Sequence, residues 1–465
     1  MAARPTASLQ GSITVIAWGT KDHYTALIPR PTGFDRALHF ALFSQGGYTV
    51  RIVLVARFLE VAMDPKQFPG RGKVAVLRTT PDTVLEDYRR AMTLAGAEDA
   101  LPKDKDTLLK INISWQQWYP ACSTAPWQLE GAIRMLLYAG YKNLIAAHNR
   151  TVVVDAYEGE RNNKHKLVVD RYGLQNVHLY EPEVEWVTYE PKTPMLVLDK
   201  VYPDGIKIPK LFIGKNIVHF PTVKTHVFTT ITGAMKNAFG GLLSERRHWT
   251  HSVIHETVVD LLAIQQEIHT GIFAVMDGTF AGDGPGPRAM NVHEKNIILA
   301  SADQVAIDAI SAKLQGFDPM SLKFIRLAHE HGLGVGDPRD IQIVGDDVSQ
   351  ENWHFVTGET FASRGQKMIY HGPLKPFENL LLRSPIVPWS FMASRAYYDG
   401  LWYPLVGHKR VQDALKTKWG RLFERYGSVA AVTDPLYNPK RVGLGLAGLA
   451  AALAGLLWWR KRGRK

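Results

Sequence analysis

The stretch HFPTVKTHVFTTITGAMKNAFGGLL, residues 219–243, sets Lys224, His226, Lys236 and Asn237 in a short span that holds no acidic residue. Lysine supplies a mobile positive charge, and asparagine both donates and accepts. Imidazole has an ordinary pKa near neutrality, which makes His226 the candidate for proton exchange. Backbone rich in Thr and Gly turns N–H groups inward and makes a nest for phosphate or carboxylate. The pattern describes a site for a small anion: Lys224 and Lys236 hold it, Asn237 orients it, and His226 acts as general acid/base.

Other chemistry-bearing residues fall where strands are expected to end. Lys110 and Asn112 lie in LLKINISW, and Asp277 opens DGTFAGDGPGPR. Gly284 and Gly286 in that segment suit either a ligand loop or a plain turn. Asp308 sits in the helix after IILAS, and it or Asp277 would support His226. In RRHWTHSVIHE, His251 and His255 are four residues apart, a spacing that places two ligands of a divalent metal on one helical face, with His248 nearby. No HExxH pattern accompanies them.

The elements that must position these residues alternate. DTLLKINISW, NLIAAHN, NIVHFPTV, GIFAVMDG, NIILAS and IQIVG read as strands. Helical spacing covers Gln128–Ala139, stopped by Gly140, and Gln304–Gln315, capped by Asp303 and stopped by Gly316. MLVLDKVYPDGIKI carries a hairpin signal at Asp204-Gly205. The expected fold is α/β, a largely parallel sheet with one inserted hairpin, a C-terminal helical annex and a single C-terminal transmembrane helix. The expected domains are an N-terminal extension at 1–72 (one strand and one or two amphipathic helices), an α/β domain at 73–347, an aromatic-rich helical annex at 348–439, and an anchor with a basic tail at 440–465. The annex either packs on the sheet or rests on a membrane surface.

The chain has 465 residues, 46% apolar and 21% charged, which describes a globular protein. Its net charge is +11, but residues 440–465 hold seven Lys and Arg and no acid, so only +4 remains on 1–439. That distribution argues against a nucleic-acid partner. Cys122 is the single cysteine, which excludes an intrachain disulfide and a cysteine-ligated cluster within this chain. No secretory signal is read at the N-terminus. Residues 442–459, VGLGLAGLAAALAGLLWW, carry no charge and precede RKRGRK. At 1.5 Å per residue they would reach about 27 Å, the thickness of a bilayer core. The expectation is a membrane-lipid partner, a single-pass anchor and a cytoplasmic bulk.

The segments LLKINISW, FPTVKTHVFTTITGAMKNAFGGL, VMDGTFAGDGPGPR and IILASADQVAIDAISAKLQGFDP occur in an order that resembles the domain of unknown function family number 362, over about residues 73–346. Members often carry an iron–sulfur module. With Cys122 alone this chain holds no such cluster, so the resemblance implies at most a partner that supplies one. It also implies a shared site carried by Lys110, Asn112, Lys224, His226, Lys236, Asn237, Asp277 and Asp308. The expected function is an enzyme binding a small carboxylate or phosphate, with acid–base chemistry of the isomerase or racemase type. The alternative is a membrane-tethered protein that binds a metabolite or docks a redox partner.

Overall fold

The computed structural model describes residues 66–149, 154–383 and 392–426, together with the backbone of four strands nearer the N-terminus. The chain divides into two compact units, residues 1–63 and 64–465. The first unit carries β1 (Ile13–Trp18), β2 (His23–Ile28), β3 (Leu42–Gln45) and β4 (Tyr48–Val55), an antiparallel sheet in the order β2-β1-β4-β3. This corrects the expectation of one strand with amphipathic helices. The run YTVRIVLV is dense in β-branched residues, which favour a pleated strand over the helix its spacing suggested.

The second unit is built on a ten-stranded sheet. In chain order its strands are β5 (Lys73–Arg78), β6 (Thr107–Ile111), β7 (Leu144–His148) and β8 (Gln175–His178). After a separate pair, β9 (Trp186–Tyr189) and β10 (Ile206–Pro209), come β11 (Asn216–Phe220), β12 (Thr222–His226) and β13 (Thr230–Ile231). Then follow β14 (Gly271–Asp283), β15 (Asn291–Ser301) and β16 (Gln342–Gly345). The main path is β16-β5-β15-β14-β11-β6-β7-β8, in which only β15 runs against its neighbours. β12 continues beside β14 and folds back on β13. Every residue of β6, β7, β11 and β12 is buried, as expected of strands covered on both faces.

Helices Pro126–Tyr138 and His165–Arg171 put Trp127, Leu129 and Val168 into one core, together with Leu109 and Ile111 of β6. Helices Ile254–Ile268 and Gln304–Gln315 fill the core on the other face with Val258, Leu261 and Ile307, against Leu108 and Ile217. The chain thus winds from β6 through β7 and β8 on one side, then from β11 to β14 on the other. The order reverses between β6 and β11, and the carboxyl ends of these strands frame the crevice where open α/β sheets bind ligands.

The hairpin expected at Asp204-Gly205 is not formed. Leu198–Val201 is a short helix, because Asp260 accepts the backbone N–H groups of Leu196, Val197 and Leu198 and draws that arm away from a ladder. The other arm, β10, pairs antiparallel with β9 instead.

In the C-terminal region, helices His408–Leu415 and Lys418–Arg425 follow a π-helical stretch, Ala396–Gly407, that contains Pro404. They pack into the core: Trp419 lies 5.3 Å from Trp127, and Phe423 stacks on Trp118 at 4.1 Å. The membrane location read from the sequence is corrected: among the described residues no helix is long and apolar enough to cross a membrane. The run at 442–459 lies outside the described residues.

Candidate functional site

Lys110 is the fourth residue of β6 and is 1% exposed. Its Nζ donates to the Ile111 carbonyl at 2.6 Å and to Asn149 Oδ1 at 3.4 Å. Burial, assisted by the charge of Arg247, brings the ammonium down to about 7. Asn112, just beyond β6, accepts from Ser114 Oγ and reaches the Cys122 carbonyl, so it shapes its own loop.

Lys224 of β12 is also 1% exposed, and its three donors are matched by three acceptors. They are the carbonyls of Ala121 and Cys122, at 3.2 and 2.6 Å, and Thr222 Oγ1 at 2.7 Å. Lys224 therefore staples the loop after β6 to β12 and supplies charge without a spare donor. Burial lowers it to about 8.

Lys236 and Asn237 ride on the single turn Ala234–Asn237. Asp308, from the helix beneath, accepts the N–H groups of Ala234 at 2.6 Å and Met235 at 3.1 Å, holding that turn. A Cβ on Gly233 would lie 2.2 Å from Asp308 Oδ1, so only glycine permits the approach. Burial raises the Asp308 carboxyl to about 8. Asn237 Nδ2 reaches back to the Lys110 carbonyl at 2.9 Å and to His219 Nδ1 at 3.2 Å. Lys236 Nζ sits 5.4 Å from the Phe239 ring, and no hydrogen bond to a protein oxygen is seen for it among the described residues. Burial, then Lys224 and Arg247, lowers it to about 7.

His226 is 6% exposed, at the end of β12. Its Nδ1 accepts from the backbone of Phe228 at 3.2 Å and Thr229 at 3.4 Å, which assigns the proton of the neutral ring to Nε2. Burial, followed by Lys236, His251, Lys224 and His255, holds the imidazole well below its ordinary range. At neutral pH it is an uncharged donor, not the freely titrating group its residue type suggested. It lines a cleft of about 240 Å³ with Phe228, Thr230, Thr357, Glu359 and Lys367. Thr230, the first residue of β13, holds φ +66°, unusual for a β-branched residue. The glycine loop fixes the wall behind: Thr225 Oγ1 donates to the Gly284 carbonyl, and Val227 N–H to that of Gly286. A Cβ on Gly286 would fall 1.9 Å from the Thr225 carbonyl oxygen.

Lys224, Lys236, His226, His251 and His255 thus lie within electrostatic reach of one another. Asp277 does not join them. Its carboxylate, 2% exposed, accepts from Tyr88, Trp127 and Thr279 on the core side of the sheet. The metal reading of His251 and His255 loses its premise, because the chain changes from 3₁₀ to α-helix at Ile254, between them. His251 Nδ1 faces the His248 carbonyl and its ring stacks on Tyr370, while His255 packs beside Phe324. Among the described residues no group of three or more His, Cys, Asp and Glu is placed to hold a metal ion.

Sequence reasoning missed a second polar cluster at the ends of β7 and β8. His148 and His178 flank Glu160 at 3.4 and 3.6 Å, and five buried polar atoms of His148, His165, Asn176 and His178 have no hydrogen-bond partner among the described residues. It also missed Arg247, 7% exposed, whose charge reaches both Lys110 and Lys236.

The fold is a mixed α/β protein with a mostly parallel sheet, and three buried lysines lie near its strand-order reversal. Residues 107–313 match the family described as domain of unknown function (DUF362), so the resemblance holds over the strands and turns that carry this site. A stretch of 120 residues is 24% identical to the thylakoid-associated protein sll1697 of Synechocystis sp.. That match covers 25% of this chain and 37% of the relative's length. No solved structure matches the chain.

Proposed function

We propose that the protein is an enzyme that binds a small carboxylate- or phosphate-bearing molecule at the His226 cleft and moves a proton on it. The observation that carries this reading is that the charges of Lys224 and Lys236 reach His226, that Arg247 links Lys236 to Lys110, and that among the described residues no carboxylate forms an ion pair with any of the three lysines. Buried cations without a partner are costly, and a ligand anion relieves that cost. Lys236 has donors to offer the anion, Asn237 fixes the turn that presents it, and Lys224 contributes a fixed charge. The Nε2–H of neutral His226 donates to oxygen that becomes negative during reaction. Lys236, lowered to about 7, is matched to proton exchange near neutral pH and takes the acid–base role first assigned to His226.

The test is exchange of the hydrogen next to the carboxylate in a panel of small 2-amino and 2-hydroxy acids in D2O, followed by NMR. Wild-type protein should incorporate deuterium into at least one, and Lys236→Met should abolish it. No incorporation across the panel, or equal incorporation by Lys236→Met, would remove the proton-transfer reading.

A further inference from the structure

The charge of the ligand is legible in the same cluster, an inference that rests on the anion-site reading above. Lys110 and Lys224 are 1% exposed and Lys236 is partly buried, yet none pairs with a carboxylate among the described residues. The three are bound into one neighbourhood. Asn237, adjacent to Lys236, holds the Lys110 carbonyl, and Gly241 on the same segment leaves the space where a Cβ would stand 2.6 Å from Lys110 Cε. Lys224 and Arg247 act on Lys236, and Arg247 on Lys110.

Among the described residues Glu359, which lines the cleft, is paired with Lys367, and the other titratable groups facing the three lysines offer no negative charge. Burial keeps His226, His251 and His219 neutral and pushes the Cys122 thiol up. Asp308 has both oxygens on backbone N–H groups, and burial keeps its proton on up to about pH 8. We infer that the ligand carries at least two negative charges, in the class of phosphate monoesters and dicarboxylates, since one charge leaves two of the three ammonium groups uncompensated in a poorly solvated site. Without ligand the lysines sit partly deprotonated at neutral pH. A dianion reverses this, so its binding draws protons from solution.

Isothermal titration of the full chain at pH 8 with sulfate, inorganic phosphate and acetate, in two buffers of different ionisation enthalpy, tests this. Sulfate and phosphate should bind at least about tenfold tighter than acetate, a gap of about 1.4 kcal/mol, with a net uptake of protons. Lys236→Met should lose most of that affinity and Lys236→Arg should keep it, with circular dichroism showing both folded. Acetate binding as tightly as sulfate, but lost in Lys236→Met, overturns the dianion inference and leaves the anion site standing. No binding of any probe, or binding unchanged in folded Lys236→Met, overturns both.

Discussion

Asn237 donates its side-chain N–H to the carbonyl oxygen of Lys110 at 2.9 Å, joining the turn that carries Lys236 to the strand that carries Lys110. The bond crosses from one side of the strand-order reversal to the other, so it sets the spacing of two cations. Asn237→Ala removes it and the contact to His219 Nδ1. Loss of buried hydrogen bonds of this kind costs about 1–3 kcal/mol. We expect a destabilisation of that size in urea unfolding and weaker phosphate binding in titration. A variant with unchanged stability and affinity would show the bond to be incidental.

Asp308 shapes the turn that carries Lys236, by holding the N–H groups of Ala234 and Met235. Asp308→Ala leaves both unpaired, at about 1–3 kcal/mol each. Asp308→Asn keeps one carbonyl oxygen and should lose less. Gly233→Ala drives a methyl into the same carboxyl and should match the alanine variant in stability. Proteolysis protection of segment 228–243 checks all three. If Gly233→Ala is as resistant as wild type, the approach of Asp308 to this turn is wrong.

The buried lysines and Asp308 make opposite pH demands. Asp308, raised to about 8 from an ordinary 3.8, contributes stability that is present below pH 4 and lost as pH rises to 8. Lys110, lowered to about 7 from 10.5, costs stability below pH 7, and the cost is relieved as pH rises toward 10.5. Above pH 8 the lysines dominate: Lys110, Lys224 and Lys236 all gain stability as pH rises. They are opposed by the single buried thiol of Cys122, which is pushed up, and the tyrosines titrate later. Urea midpoints of ligand-free protein should therefore rise from pH 8 to 9.5, and Lys110→Met should flatten the rise while increasing stability at pH 7. A midpoint that falls across that window contradicts the burial of uncompensated ammonium groups.

Much of the frame was readable from short-range pattern. The apolar runs of β6, β7 and β11 and the caps of helix Gln304–Gln315 are local signals, and Asp303 does accept from Val305 and Ala306 as its type predicts. The failures come from distant partners. Nothing near Leu196–Leu198 announces that Asp260 will capture three of its N–H groups. Lys224 looked available because the Ala121 and Cys122 carbonyls that occupy it lie about a hundred residues away. His148, Glu160 and His178 come from three separate elements with no motif spacing between them. Residue type singled out the candidate residues, while tertiary contacts decide which lysine has donors to give.

The C-terminal helices offer the last test, because the sequence left the annex open between packing on the sheet and resting on a membrane, and helices His408–Leu415 and Lys418–Arg425 pack into the core. Trp419 is 1% exposed, lies 5.3 Å from Trp127 and donates its Nε1–H to Asn296 Oδ1 at 2.7 Å. Trp127 in turn donates to Asp277, so the annex leans on the aromatic wall that holds that buried carboxylate. Trp419→Ala should cost about 3–5 kcal/mol, the range for a large buried aromatic. Trp419→Phe should cost less, since it keeps most of the ring contact and loses the bond to Asn296. Both should shift a single unfolding transition of the second unit, read by far-UV circular dichroism and tryptophan fluorescence together. Two separate transitions, with only the smaller moved by Trp419→Ala, would make the helices an independent annex after all.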